Sequence, residues 1–189
     1  MSRQKKGISS FFFFFFAFVG WFAPYLSVWW HFRGFSPTEI GVLLSPMQWS
    51  RIIGPPFWGF LADSQTARLS LHRILMLASM IALFISLFLS GASGFGQTII
   101  VLIFLTFFLS GLVPLVEVVA LNTTMEVKCK YGDLRVWGSI GFLFAVLLFG
   151  LLIEKMGVEA IPIFIVVSLF FIFTSTILLR GEKKPKNFS

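Results

Sequence analysis

Six apolar stretches separated by short polar connections constrain this chain more than any other feature. They lie near 8–30, 39–62, 74–92, 97–122, 135–153 and 159–180. At 1.5 Å rise per residue, about 20 helical residues cross a hydrocarbon core of about 30 Å. In lipid the backbone must satisfy its own polar groups, so stretches this long predict helices. The expected fold is an all-α integral membrane unit of six transmembrane helices. The first stretch is too long for a signal peptide, and no small-residue cleavage site follows it.

Composition agrees. Hydrophobic residues make up 57% of 189 positions and charged residues only 12%, where a soluble domain carries roughly 25%. The chain is therefore expected to bury itself in the lipid bilayer. The run Phe11–Phe16 reads as lipid contact with no chemistry attached. Trp29 and Trp30 read as an interfacial aromatic belt at the far end of the first span. Pro24, Pro46, Pro55, Pro56 and Pro114 are expected to kink or open their helices.

The formal net charge of +7 is a matter of topology. With the N-terminus in the cytoplasm, only Arg33 and Lys155 of the 15 Lys and Arg residues fall outside, and Arg51 falls within a span. All the others fall inside, which predicts both termini cytoplasmic, with 181–189 as a basic tail or the start of a linker. A nucleic-acid partner is not expected. Cys129 is the sole cysteine, so no intramolecular disulfide can form. His31 and His72 fall on opposite sides, which argues against a metal site. There is no nucleophile–base constellation and no phosphate-binding loop. The sequence predicts neither an enzyme nor a bound cofactor.

Ionised groups within a span are costly unless they face a partner or a wet cavity, so each is a candidate site. Glu117 lies inside the fourth stretch and Arg135 opens the fifth. Glu117 can be a polar pin between helices or a ligand for solute or proton. Arg135 can be a topology charge or a fork for a carboxylate or a pair of hydroxyls. Arg135, Gly138, Ser139 and Phe142 share a helical face, with room for a solute and a ring to stack on it. Arg51 can be a buried partner of Glu117 or a recognition group for an anion. Residue spacing alone leaves up to about 12 Å of depth mismatch between Glu117 and Arg135.

The stretch Gly59-Phe-Leu-Ala-Asp63-Ser-Gln-Thr-Ala-Arg68 resembles the loop between spans 2 and 3 of the major facilitator superfamily. Gly59, Leu61, Ala62, Asp63 and Arg68 match its pattern; Ser64, Thr66 and Ala67 depart. The resemblance implies close helix packing at Gly59 and a gating latch at Asp63 and Arg68. Pro114-Leu-Val-Glu117, followed by Tyr131-Gly-Asp-Leu-Arg135-Val-Trp-Gly138, resembles the lactose-permease branch of proton symporters. The run Leu112–Leu115, the run Leu134–Ser139, Arg51 and the loop Trp29–Gly41 are more similar still to the phenylpropionate-permease-like branch.

The resemblance implies an N-terminal six-helix half of a twelve-helix transporter, over residues 1–180. It implies proton-coupled symport of a small organic solute (an aromatic or other carboxylate, a sugar or a nucleoside). Glu117, Arg135, Arg51 and Phe142 would contact the solute, the proton would be the coupling ion, and the bacterial inner membrane the location. The partner would be a second six-helix half or a second copy of the chain. The rival expectation is a truncated membrane protein that does not transport.

Overall fold

The structure, a computed structural model, describes residues 3–63, 70–92, 94–127 and 129–179, the side chains of 126 and 127 apart. The helices are α1 (Arg3–Phe32), α2 (Pro37–Asp63), α3 (Leu71–Ser86), α4 (Phe95–Ser110), α5 (Leu112–Val127), α6 (Tyr131–Met156) and α7 (Ile161–Leu178). A single 3-10 turn, Val158–Ala160, joins the last two. Among the described residues, four stretches are long and apolar enough to cross a membrane: Arg3–Phe32, Phe95–Met125, Tyr131–Met156 and Val158–Leu178. Leu71–Ser86 is apolar but shorter. The 27 residues of α2 have the length, but Ser45, Gln48, Ser50 and Arg51 interrupt their apolar run.

Local chemistry sets the ends. Gly34 takes φ 86° after α1, a left-handed turn that a side chain disfavours. Ser36 and Glu39 then form a capping box at the start of α2. The Ser36 backbone N–H donates to Glu39 Oε2 at 2.8 Å, and Glu39 N–H donates to Ser36 Oγ at 3.3 Å. Gly157, at φ 82°, makes the turn after α6. Arg33 donates to the Ala92 carbonyl at 2.8 Å and tethers the α1–α2 loop to the turn before α4.

The fourth expected span is one crossing stretch, Phe95–Met125, but its helix is interrupted at Gly111. Pro114 has no N–H for the Ser110 carbonyl, and its ring crowds that carbonyl. The chain turns at Gly111 between α4 and α5. The carbonyl of Phe107 accepts Ser110 Oγ at 2.7 Å and the Trp58 indole N–H at 3.1 Å. Gly111 is required here, because a Cβ would run into the Trp58 ring. The fifth helix also begins earlier than 135, at Tyr131, and α5 runs on to Val127, so their connection is shorter than expected.

Helix α1 is the hub, packed against α6 and α7; α4 packs on α2 and α3, and α3 on α7. This overturns part of the reading of the phenylalanine run. Phe11 and Phe12 are 0% exposed and Phe15 9%, so these three are core and not lipid contact, whereas Phe13, Phe14 and Phe16 are half-buried. A helix surrounded by others buries its apolar residues against protein on several sides. Phe14 stacks on Phe171 at 5.0 Å, and Trp21 stacks on Phe149 at 4.1 Å. Trp29 and Trp30 are likewise buried, at 4% and 0%, so they do not form an exposed belt. Close approach of α1 to α6 rests on Gly141, where a Cβ would collide with the Phe13 carbonyl. Hydroxyl pairs pin the other contacts: Ser50 to Thr106 at 2.9 Å and Ser79 to Thr176 at 3.1 Å.

Candidate functional site

Two features meet at Phe16 of α1. One is a charged cluster between α5 and α6. Arg135 Nε lies 3.9 Å from Glu117 Oε1, an ion pair too long for a hydrogen bond. Tyr131, one turn before Arg135, donates its hydroxyl to Glu117 Oε1 at 3.3 Å. The Arg135 guanidinium sits 3.9 Å from the Phe16 ring centroid and 5.2 Å from that of Phe12. Phe12 and Phe16 are four residues apart, so they lie on one face of α1. Tyr131 packs edge-on against Phe12 at 6.5 Å. Gly138 leaves the room: a Cβ would lie 2.7 Å from Arg135 Nη1 and 2.9 Å from Phe16 Cδ2.

The side chains of Arg135 and Glu117 are 32% and 39% exposed, so neither is sealed in the core. Their mutual attraction and the ring quadrupoles offset part of the cost of holding charge in a span. The depth mismatch left open by residue spacing is closed: the two side chains come within 3.9 Å, with the Tyr131 hydroxyl beside them.

The second feature is a cavity of about 260 Å³ between α1, α2 and the α4–α5 joint. Phe15, Phe16, Phe18 and Phe22 wall one side. Arg51 and Met47 of α2 line the other, with the hydroxyls of Ser50, Thr106 and Ser110 at the margin. Arg51 is exposed and makes no ion pair among the described residues, so the expected alternative of a buried pair with Glu117 is not formed. Glu117 takes Arg135 instead.

The other expected site residues lie apart. Phe142 is two turns along α6 from Arg135 and packs on α1, its carbonyl 3.1 Å from where a Gly20 Cβ would sit. Asp63 is exposed at the end of α2 and has no ion pair among the described residues. Arg68 lies outside the described residues. A Cβ at Gly59 would meet nothing within 4 Å among the described residues. Sequence reasoning gave no role to Tyr131, Phe12, Phe16 or the Ser50–Thr106 pair. A helical-face test would have flagged Tyr131, four residues before Arg135. Phe12 and Phe16 were hidden inside a homopolymer.

The family model described as MFS_1 like family matches residues 6–187. The chain is 30% identical over 142 residues to the "Probable 3-phenylpropionic acid transporter" of Escherichia coli (strain K12), covering 75% of this chain and 37% of that one. It is 29% identical over 187 residues to the "Maltose permease" of Geobacillus stearothermophilus, covering 97% and 46%. The fold is similar to the crystal structure of the nucleoside transporter NupG, with a TM-score of 0.81 at 16% identity over 96% of this chain and 45% of that one. The chain spans less than half the length of each of these proteins. All three are transporters by name, not enzymes.

Proposed function

The chain belongs to the MFS_1 like family, within the major facilitator superfamily, and from that premise we propose that it is the N-terminal half of a proton-coupled symporter for a small organic solute. It is an integral, multi-pass membrane protein; the inner membrane of a bacterium, six spans and cytoplasmic termini complete the reading. A second six-helix unit closes the transport path, and the two units rock to expose the cavity to alternate sides.

The observation that carries the reading is the Glu117–Tyr131–Arg135 cluster against Phe16, whose ring also walls the cavity. An acidic group inside a span, held by a cation and a hydroxyl, can load and release a proton. Its state reaches the cavity through one shared ring. Glu117 handles the proton with the fixed charge of Arg135 beside it, both hold the solute path, Arg51 faces the solute, and Asp63 with Arg68 and Gly59 form the cytoplasmic latch. Phe142 contributes from the α1–α6 crossing.

The test is uptake by the complete transporter of 3-phenylpropionate, maltose and a nucleoside under an imposed pH gradient. One solute is expected to accumulate, and a protonophore to collapse its gradient. Glu117→Gln and Arg135→Lys are each expected to abolish uptake at normal membrane levels. Wild-type uptake in both variants refutes the cluster's role, and indifference to the protonophore refutes proton coupling. A second reading, pairing with another copy of the chain, draws on the apolar outer face of α6, where Leu143, Phe144, Leu147 and Leu151 are exposed. Crosslinked mass in membranes separates the two readings.

A further inference from the structure

We propose that the Phe-walled cavity is the solute subsite, that it takes a small aryl monocarboxylate, and that Arg51 rather than Arg135 holds the carboxylate. This rests on the transport reading and names its substrate class.

Charge makes the first distinction. Arg135 is already matched: Glu117 faces it at 3.9 Å and the ring of Phe16 covers it. Arg51 reaches the cavity with no ionic partner among the described residues. The cavity therefore carries one unmatched positive charge. Within a span such a charge is costly, and an anionic ligand relieves that cost. The planar fork of a guanidinium suits a carboxylate in a two-point grip.

Size makes the second. A cavity of about 150 Å³ accommodates one benzene ring. The cavity here measures about 260 Å³, enough for one ring and a short acidic tail within this half. Four phenylalanine rings offer edges and faces to such a ring.

Hydrogen-bonding capacity makes the third. Ser50 and Thr106 are bonded to each other at 2.9 Å, and Thr106 also donates to the Leu102 carbonyl at 2.7 Å. The Ser110 hydroxyl is committed to the Phe107 carbonyl at 2.7 Å. The donor protons of these three hydroxyls are spent, so a polyol finds their acceptor lone pairs but fewer donors than water would give it. The cavity thus selects against a disaccharide by chemistry as well as by volume.

The experiment is equilibrium binding to the full-length protein in lipid nanodiscs, with labelled 3-phenylpropionate as probe. Competitors are unlabelled 3-phenylpropionate, its neutral amide, maltose and uridine. The carboxylate is expected to compete about 10- to 100-fold better than the amide, the range of one charge-assisted hydrogen-bonded contact. Arg51→Gln is expected to bring that ratio close to unity, and Arg51→Lys to keep part of it. An unchanged ratio in Arg51→Gln overturns the proposal. So does equal competition by maltose or uridine, or no binding of the aryl acid. Should Arg51→Gln fail to fold, unchanged affinity in Arg51→Lys also overturns it. Binding without uptake refutes the transport reading alone, whereas uptake of maltose or a nucleoside without aryl-acid binding refutes this inference alone.

Discussion

Gly138→Ala separates the charged cluster from the packing of the bundle. A Cβ at Gly138 would lie 2.7 Å from Arg135 Nη1, where ordinary heavy-atom contact is about 3.5 Å. The guanidinium must therefore back away by about 0.8 Å, and it can, because it is the free end of a flexible side chain. The Phe16 ring edge, at 2.9 Å, must turn as well. The displacement weakens a cation–ring contact worth about 0.5–2 kcal/mol. Alanine returns about 1 kcal/mol of helix propensity. The net change in stability is expected to stay within about 1 kcal/mol. Gly141→Ala, one turn on, is the control. There the Cβ collides with the Phe13 backbone carbonyl, which moves only if α1 and α6 separate, at about 1–3 kcal/mol. Thermal unfolding in nanodiscs, followed by tryptophan fluorescence, is expected to leave Gly138→Ala near wild type and lower Gly141→Ala by several degrees. Uptake at matched protein level is expected to fall at least about tenfold in Gly138→Ala, as expected for misplacing a site group by about 1 Å. Equal loss of stability in the two variants, or full uptake in Gly138→Ala, refutes the reasoning.

Three further outcomes follow from the geometry. Tyr131→Phe removes the donor to Glu117 Oε1 and is expected to change the pH profile of uptake more than the protein's unfolding temperature; an unchanged profile removes Tyr131 from the cluster. A double-mutant cycle on Ser50→Ala and Thr106→Val is expected to give a coupling of about 0.6 kcal/mol, ordinary for a hydroxyl pair between membrane helices; zero coupling means the pair does not pin α2 to α4. Trp58→Phe deletes one of two donors to the Phe107 carbonyl and is expected to cost about 1 kcal/mol; no measurable loss means the α4–α5 break does not depend on that indole.

The motif residues were legible early because they combine a rare chemistry with a fixed spacing. Glu117 and Arg135 stood out as charges in apolar runs, and the structure brings them to 3.9 Å. Ser36 and Glu39 hold the start of α2 through a local capping pattern that needs no tertiary context. Phe11, Phe12 and Phe15 misled because a homopolymer has no periodicity: every face of that helix looks alike until its neighbours are known. Trp29 and Trp30 misled in the same way, since position near a span end does not say which side of the helix meets protein. Arg51 and Glu117 are opposite charges in the second and fourth expected spans, but packing gave the acid to Arg135.

The sequence by itself determined that this is a membrane protein of apolar helices, which family it resembles, and where its intramembrane charges fall. Those properties follow from composition, run length and local spacing, all of which act within one helix. Only the tertiary structure decided which charges are matched, which phenylalanines are core, and where a cavity opens beside Arg51. Those depend on how helices rotate and approach one another, and rotation is fixed by contacts such as Gly141 on Phe13 that join residues far apart in the chain.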